Sequence, residues 1–274
     1  MKAAVEQILT LAEEVAAQAA KAAGAVARNL FQRGFKVEEK DESGDLLTEA
    51  DLLAEQVILH SIRGMFPEHQ IRSEESGWSG VEGDWLWLVD PLDGTNNFAV
   101  GMPLFGVSIT LIYRGMPMLG IIYDTMQDKL YTARRSAGAV CNETVFRIQE
   151  KPASKRMTIG WIQGHQVQQD NRASRLRLHI EQNSKRLLRL WAPTLQWVML
   201  ARGQIDGIVL YNSEGDDLYS GLLLVQEAGG VVMDFDGNPF DGMNAEPYII
   251  ACPPDRKEAL LQLVRSGLQA EAAL

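Results

Sequence analysis

Trp85-Leu86-Trp87-Leu88-Val89-Asp90-Pro91-Leu92-Asp93-Gly94-Thr95-Asn96-Asn97-Phe98 is the stretch around which the 274-residue chain is organised. Residues 85–90 are apolar at nearly every position, as in a short buried strand. Pro91 lacks a backbone donor and predicts a turn that ends the strand at Asp90. Asp90 and Asp93 flank that turn. Gly94 allows close backbone approach, and Thr95 suits the cap of a following helix. Hard oxygens beside exposed backbone N–H groups are what a divalent cation and a phosphate require.

The bulk composition is compatible with this reading. Hydrophobic residues make up 46% of the chain, enough for one large domain or two fused lobes. Net charge is −10 and no basic run exceeds a pair, so no nucleic-acid partner is expected. Cys141 and Cys252 are far apart in sequence, as befits reduced structural thiols of a cytoplasmic protein. The Ala-rich first 30 residues are broken by Glu6, Glu13 and Glu14, and no apolar run is long enough for a membrane span.

Working outward, Val5, Ile8, Leu9, Ala12, Val15, Ala16 and Ala19 predict an amphipathic helix to about Arg28. A polar loop over 38–45 follows, with Gly44 as its turn. Thr48 and Asp51 fit a capping box for a second helix that turns Leu52, Val57, Ile58 and Ile62 inward. Asp51 is thus equally a helix cap and a candidate catalytic group. Glu74-Glu75-Ser76-Gly77 ends an extended piece, and a hairpin would bring Glu74 beside Asp90. Residues 105–113, 118–123 and 130–133 read as an antiparallel meander.

Beyond a boundary at 149–155 the rhythm changes. Strands are expected at 157–162, 186–191, 205–211, 231–234 and 248–252. Helices are expected at 168–182, 194–202 with Thr194 as cap, 217–228 ending in Gly229-Gly230, and 255–268. The fold class is therefore α+β: N-terminal helices with an antiparallel sheet over 1–152, then an α/β lobe over 153–274.

Glu74, Asp90, Asp93 and Asp217 all fall at element ends, and none has a basic residue one helical turn away. Clustered carboxylates repel, and a cation relieves this. Oxygen ligands without His or Cys favour Mg²⁺ or Mn²⁺ over zinc. His60, His69, His165 and His179 have no metal-ligand spacing and read as surface or packing residues.

Glu74-Glu75-Ser76, the block Asp90-Pro91-Leu92-Asp93-Gly94-Thr95-Asn96-Asn97-Phe98, and Asp217 followed by Glu227-Ala228-Gly229-Gly230 resemble the inositol monophosphatase family. The resemblance runs along nearly the whole chain. It implies a layered α-β-α-β-α sugar-phosphatase fold and a Mg²⁺-dependent, lithium-sensitive phosphomonoesterase, with two or three ions and Mn²⁺ able to substitute. It implies that Glu74, Asp90 and the Leu92 carbonyl hold one ion, and that Asp90, Asp93 and Asp217 hold another. Asp51 and Thr95 would polarise the attacking water, with Glu74 near a third ion. Gly94 and Thr95, beside Asp93, would bind the phosphate. A small phosphorylated metabolite and a homodimer are the partners implied.

Three positions depart from the family pattern. Asp216 stands where a Trp precedes the last metal ligand. Leu210 stands where inositol-specific members have a Glu. Trp191-Ala192-Pro193-Thr194 replaces a segment of small residues. The metal ligands are intact, but the pocket for the leaving group is altered, so the Trp191–Thr194 and Leu210 region is expected to decide the substrate. Glu214 and Arg189 are candidates to contact the leaving group. Fructose 1,6-bisphosphate, 3′-phosphoadenosine 5′-phosphate and histidinol phosphate are alternatives to inositol phosphate. A haloacid-dehalogenase-type phosphatase needs two Asp two residues apart on one strand face, which Asp90 and Asp93 do not satisfy. A non-catalytic metal- or phosphate-binding regulator is the alternative of another class.

Overall fold

The computed structural model describes residues 2–39, 46–149, 156–164, 167, 169–213, 215–244 and 246–269. The Gly44 turn, His165, Glu214 and most of the 149–155 boundary lie outside these residues. Helix α1 (Lys2–Arg33) runs past Arg28, because Leu30 and Phe31 still find apolar partners. It stops where Gly34 takes φ 96° and donates to the Leu30 carbonyl at 2.9 Å. The expected polar loop begins and ends in a small antiparallel pair, β1 (Val37–Glu39) and β2 (Leu46–Thr48). In α2 (Glu49–Met65) the Thr48/Asp51 capping box is present. Ile58 and Ile62 turn inward as expected, but Leu52 is exposed, because Asp51 and Ala54 take the buried face instead.

The first sheet contains β3 (Gln70–Ser73), β4 (Gly77–Ser79) and β5 (Trp85–Asp93). After the short helix α3 (Thr95–Ala99) it continues with β6 (Gly106–Tyr113), β7 (Met116–Asp124), β8 (Lys129–Arg134), β9 (Gly138–Cys141) and β10 (Thr144–Phe146). Strands β6–β8 are the expected meander, and β9–β10 extend it by a further hairpin. The strand order is β10-β9-β8-β7-β6-β5-β3-β4.

The second sheet is built from β11 (Thr158–Gln163), α4 (Asn171–Asn183), β12 (Arg186–Leu188), α5 (Pro193–Ala201), β13 (Gly207–Tyr211), α6 (Leu218–Glu227), β14 (Val231–Asp234), β15 (Tyr248–Cys252) and α7 (Lys257–Gln269). Its order is β12-β11-β13-β15-β14. Strands β12, β11 and β13 are mutually parallel, whereas β15 is antiparallel to β13 and β14.

Alternation along the strands sorts these elements into five layers. Trp87, Val89, Ile109 and Ile121 face α1 and α2. Leu88, Ile112 and Ile122 face the other way, onto α5 and α6. Ile208 and Leu210 of the second sheet close that same core from beyond. Trp161, Val209 and Ile250 pack on α4 and α7. The layers are α1/α2, first sheet, α5/α6, second sheet, α4/α7, which is the α-β-α-β-α order. The α5/α6 layer touches both sheets, so the chain's two halves share one continuous core. Close approach fixes its depth: a Cβ on Gly120 of β7 would lie 2.9 Å from the Ser220 Cα of α6.

Candidate active site

Strand β5 does not end at Asp90. It continues to Asp93 through a register shift. Asp90 pairs with Ser108, and the next pair is Asp93 with Gly106. Three steps on β5 thus match two on β6, so one residue is extra, as in a bulge. The slip cancels the ordinary alternation and puts Asp93 back in phase with Asp90. Pro91 falls inside the irregular span, where the missing N–H removes no regular ladder bond.

Asp90 and Asp93 therefore share the sheet face that looks onto α6. Their cross-strand neighbour Ser108 hydrogen-bonds Ser220 at 2.7 Å, and the two hydroxyls are wholly buried. Ser220 Oγ also donates to the Asp217 carbonyl at 3.0 Å when it is not donating to Ser108. These contacts carry the α6 N-terminus, and Asp217 with it, onto the same face. The other tether is Arg72 of β3, whose Nε meets Asp216 Oδ1 at 2.5 Å. The guanidinium also stacks over Trp78, 5.6 Å from the ring centre. Asp216, at the departure from the family pattern, is thus a strut between the two halves.

Glu74 reaches the cluster by a route the sequence does not suggest. Strand β3 is parallel to β5, with Ser73 beside Val89, and Glu74 N–H donates to the Val89 carbonyl at 3.0 Å. The expected hairpin to β5 is not formed: the hairpin partner of β3 is β4. The turn after β3 is held by Glu55, one helical turn beyond Asp51. Glu55 is buried and accepts from the Ser73 hydroxyl at 2.5 Å and from Ser76 N–H at 2.9 Å. Its only sequence signal is that spacing from Asp51.

Asp51 is buried. Oδ2 accepts from Thr48 N–H at 2.7 Å, and Oδ1 accepts from the Thr95 hydroxyl at 2.8 Å. It serves the cap and faces Thr95 at once, so the two readings of this residue coexist. Thr95 is the first residue of α3, not its cap. Gly94 is the cap, at φ 105°, where a Cβ would stand 2.8 Å from the Leu104 carbonyl and 3.1 Å from the Trp191 carbonyl. Thr194 likewise does not cap α5, whose cap is Ala192. Both its N–H, at 2.7 Å, and its hydroxyl donate to Asp93 Oδ2.

Electrostatics set this cluster apart. Burial, then the charges of Glu74, Asp93 and Asp217, hold the Asp90 carboxyl well above the usual range. Burial and Asp217 do the same to Asp93, against the two Thr194 hydrogen bonds. Burial and Glu74 push Asp217 up to about 7. Burial also raises Asp51, opposed by Thr48 and Thr95. Buried carboxylates that destabilise one another's charge form a hard-oxygen donor set suited to divalent cations. As oriented, Asp51, Asp90 and Asp93 each turn an oxygen to a local donor, such as Leu92 N–H to Asp90 Oδ1 at 3.0 Å. Among the described residues no three such side chains close a ready-made cage.

The family model for the inositol monophosphatase family matches residues 9–269. The chain belongs to the inositol monophosphatase family. A Synechocystis protein named inositol-1-monophosphatase is 32% identical, covering 83% of this chain and 80% of its own. A Pasteurella multocida protein named Nus factor SuhB is 31% identical over 94% of this chain and 97% of its own. The crystal structure of suppressor protein SuhB from Bartonella henselae superposes with a TM-score of 0.84 at 28% identity, covering 93% and 98% of the two chains. An inositol monophosphatase from Anabaena gives 0.79 at 28% identity, covering 94% and 96%.

Within this family member, the residues that depart from the pattern have distinct placements. Leu210 is buried between the layers, packed in the core shared by the two sheets. The Trp191–Thr194 segment lies directly against Gly94 and Asp93. Arg189 is exposed just before it. The family assignment also disposes of the haloacid-dehalogenase alternative. No helix among the described residues is long and apolar enough to cross a membrane.

Proposed function

We propose that the chain is a Mg²⁺-dependent phosphomonoesterase acting on a small phosphorylated metabolite. The observation that carries this reading is the bulge in β5, which puts Asp90 and Asp93 in phase beneath Asp217 and beside Glu74. These four carboxylates and the Leu92 carbonyl would hold two or three ions, with Mn²⁺ as a substitute. When bound, such ions supply an activated water and neutralise charge on the phosphoryl oxygens.

The chain's own groups do the rest. Gly94 and Thr95 N–H groups donate to the phosphate, on backbone that only glycine adopts without strain. α3 is five residues long, so these local N–H groups outweigh any helix dipole. Thr95 Oγ accepts a proton from the attacking water and passes its own to Asp51 Oδ1. Burial makes Asp51 a stronger base than a free carboxylate. Thr194 keeps Asp93 oriented by two hydrogen bonds.

All strands of the first sheet come from before residue 147 and all of the second from after 157, which supports lobes of 1–152 and 153–274. The test is phosphate release, with Mg²⁺ and with EDTA, from inositol 1-phosphate, fructose 1,6-bisphosphate, 3′-phosphoadenosine 5′-phosphate and histidinol phosphate. Metal-dependent release from one of them is expected. Several relatives are named Nus factor SuhB, which favours a second, non-catalytic role as a partner of other macromolecules. Absence of release from the whole panel would make that the leading reading.

A further inference from the structure

Strands β12, β11 and β13 are parallel, so their C-terminal ends share one edge. Ligands of such sheets bind at that edge. The connection after β13 delivers Asp217, and the one after β12 delivers the segment against Gly94 and Asp93. On the way that segment alternates: Arg189 and Trp191 face solvent, while Leu190 is half-buried and Ala192 fully buried. Its mount is firm. Gln196 donates to the Leu190 carbonyl at 3.3 Å, the Trp191 carbonyl abuts Gly94, and Thr194 grips Asp93.

The side chains on this mount are unspent. Trp191 is 60% exposed. Arg189 makes no hydrogen bond or ion pair with any described residue. Arg177 is anchored on the same sheet edge, donating to Gln163 Oε1 at the end of β11, the strand paired with β12, at 3.1 Å. After partial burial, repulsion from Arg177 is the next influence on Arg189, and only Glu181 opposes it. Arg177, held at the end of β11, and Arg189, directly after the neighbouring strand β12, put two guanidiniums on one sheet edge of a chain of net charge −10, a local site for an anion. The position just beside it is taken by an indole free to cover a flat or apolar ring face.

Resting on the phosphatase reading above, we propose that Arg189, backed by Arg177, and Trp191 form the leaving-group site of this enzyme. They select phosphate monoesters whose leaving group carries a ring and a second anionic group. The carboxylate cluster and its cations handle the phosphoryl group that is transferred. A second phosphate would meet the acidic protein unaided, and the two arginines receive it.

The experiment compares kcat/KM for phosphate release from four substrates by the Mg²⁺-loaded full chain. Glycerol 2-phosphate has neither feature. Adenosine 3′-phosphate has the ring alone, and adenosine 3′,5′-bisphosphate has both. Fructose 1,6-bisphosphate tests a saturated ring. The parent is expected to prefer the bisphosphates. Arg189→Ala should lower the ratio of adenosine bisphosphate to adenosine monophosphate turnover about tenfold, as loss of a charge-assisted contact implies, and Arg189→Lys should restore part of it. Trp191→Ala should lower the ratio of adenosine 3′-phosphate to glycerol phosphate turnover, with Trp191→Phe retaining it. Unchanged ratios, or a parent that does not prefer a second anion, would overturn the proposal. If no substrate is hydrolysed, the phosphatase reading fails, and calorimetric binding of adenosine 3′,5′-bisphosphate decides. Binding weakened about tenfold by Arg189→Ala sustains the site, and binding that is absent or unaffected overturns it.

Discussion

Replacing Asp217 by Asn should stabilise the metal-free protein and destabilise the metal-loaded one relative to the parent. Asp217 is half-buried, and burial of its carboxyl with the Glu74 charge raises it from 3.8 to about 7. Each unit of such a shift corresponds to about 1.4 kcal/mol between the two protonation states. Ionising Asp217 in the folded, metal-free chain at pH 8 therefore costs on the order of 4 kcal/mol. The repulsion is shared with Glu74, so the isosteric amide should recover roughly half of it, about 2 kcal/mol. The side chain makes no capping hydrogen bond to α6 that the substitution would forfeit. For a chain of this size that gain is a rise of roughly 4–8 °C in Tm. The sign with pH follows from the direction of the shift. A carboxyl raised in the folded state contributes stability that is complete below its unfolded value of 3.8 and is lost as pH rises through about 7. Thermal melts in EDTA should thus show the parent weakening between pH 5 and pH 8 through this group, with Asp217→Asn spared that loss. Millimolar Mg²⁺ should reverse the order at pH 8, because the parent alone keeps the full donor set. An Asp217→Asn protein that melts at or below the parent at pH 8 in EDTA would refute the reasoning.

Other perturbations probe the remaining parts. Asp93→Asn should lower kcat/KM by several kcal/mol of transition-state stabilisation, as a lost metal ligand does; near-normal turnover would remove Asp93 from the site. Thr194→Val deletes the hydroxyl bond to Asp93 Oδ2 and should weaken Mg²⁺ activation by about tenfold or more, measured as the half-activating concentration. Gly94→Ala forces a side chain onto φ 105° and against the Leu104 carbonyl, so a loss of about 1–3 kcal/mol in unfolding free energy and a fall in phosphate release are expected. Arg72→Met strands Asp216 with its charge half-paired. It should cost about 1–3 kcal/mol in denaturant melts, while Asp216→Asn with Arg72→Met should restore part of it.

Much of this was legible because it is local. The apolar run from Trp85, the Thr48/Asp51 box and the Gly229-Gly230 stop each act within a few residues, whereas the strand end expected at Pro91 is overridden by the bulge. Their outcome follows from backbone sterics and short-range hydrogen bonds. The placing of Glu74, Asp93 and Asp217 at element ends and the alternation of strands and helices after residue 156 are of the same kind. The layered order was legible through the family resemblance, since periodicity alone does not say which face packs on which.

What only the tertiary structure decided are matters of phase and of distant partners. A bulge, invisible to local pattern, puts Asp93 on the side of Asp90. A parallel pairing, where a hairpin was expected, brings Glu74 alongside. Thr194 turns from a helix cap to a buttress of Asp93 because Asp93 is there to accept. Leu210 sinks into the core because both sheets press on the α5/α6 layer. Sequence by itself determined which carboxylates and hydroxyls are available at the candidate site. The long-range packing of two sheets on one helical layer decided which of them meet, because contacts across many residues of chain depend on the whole fold.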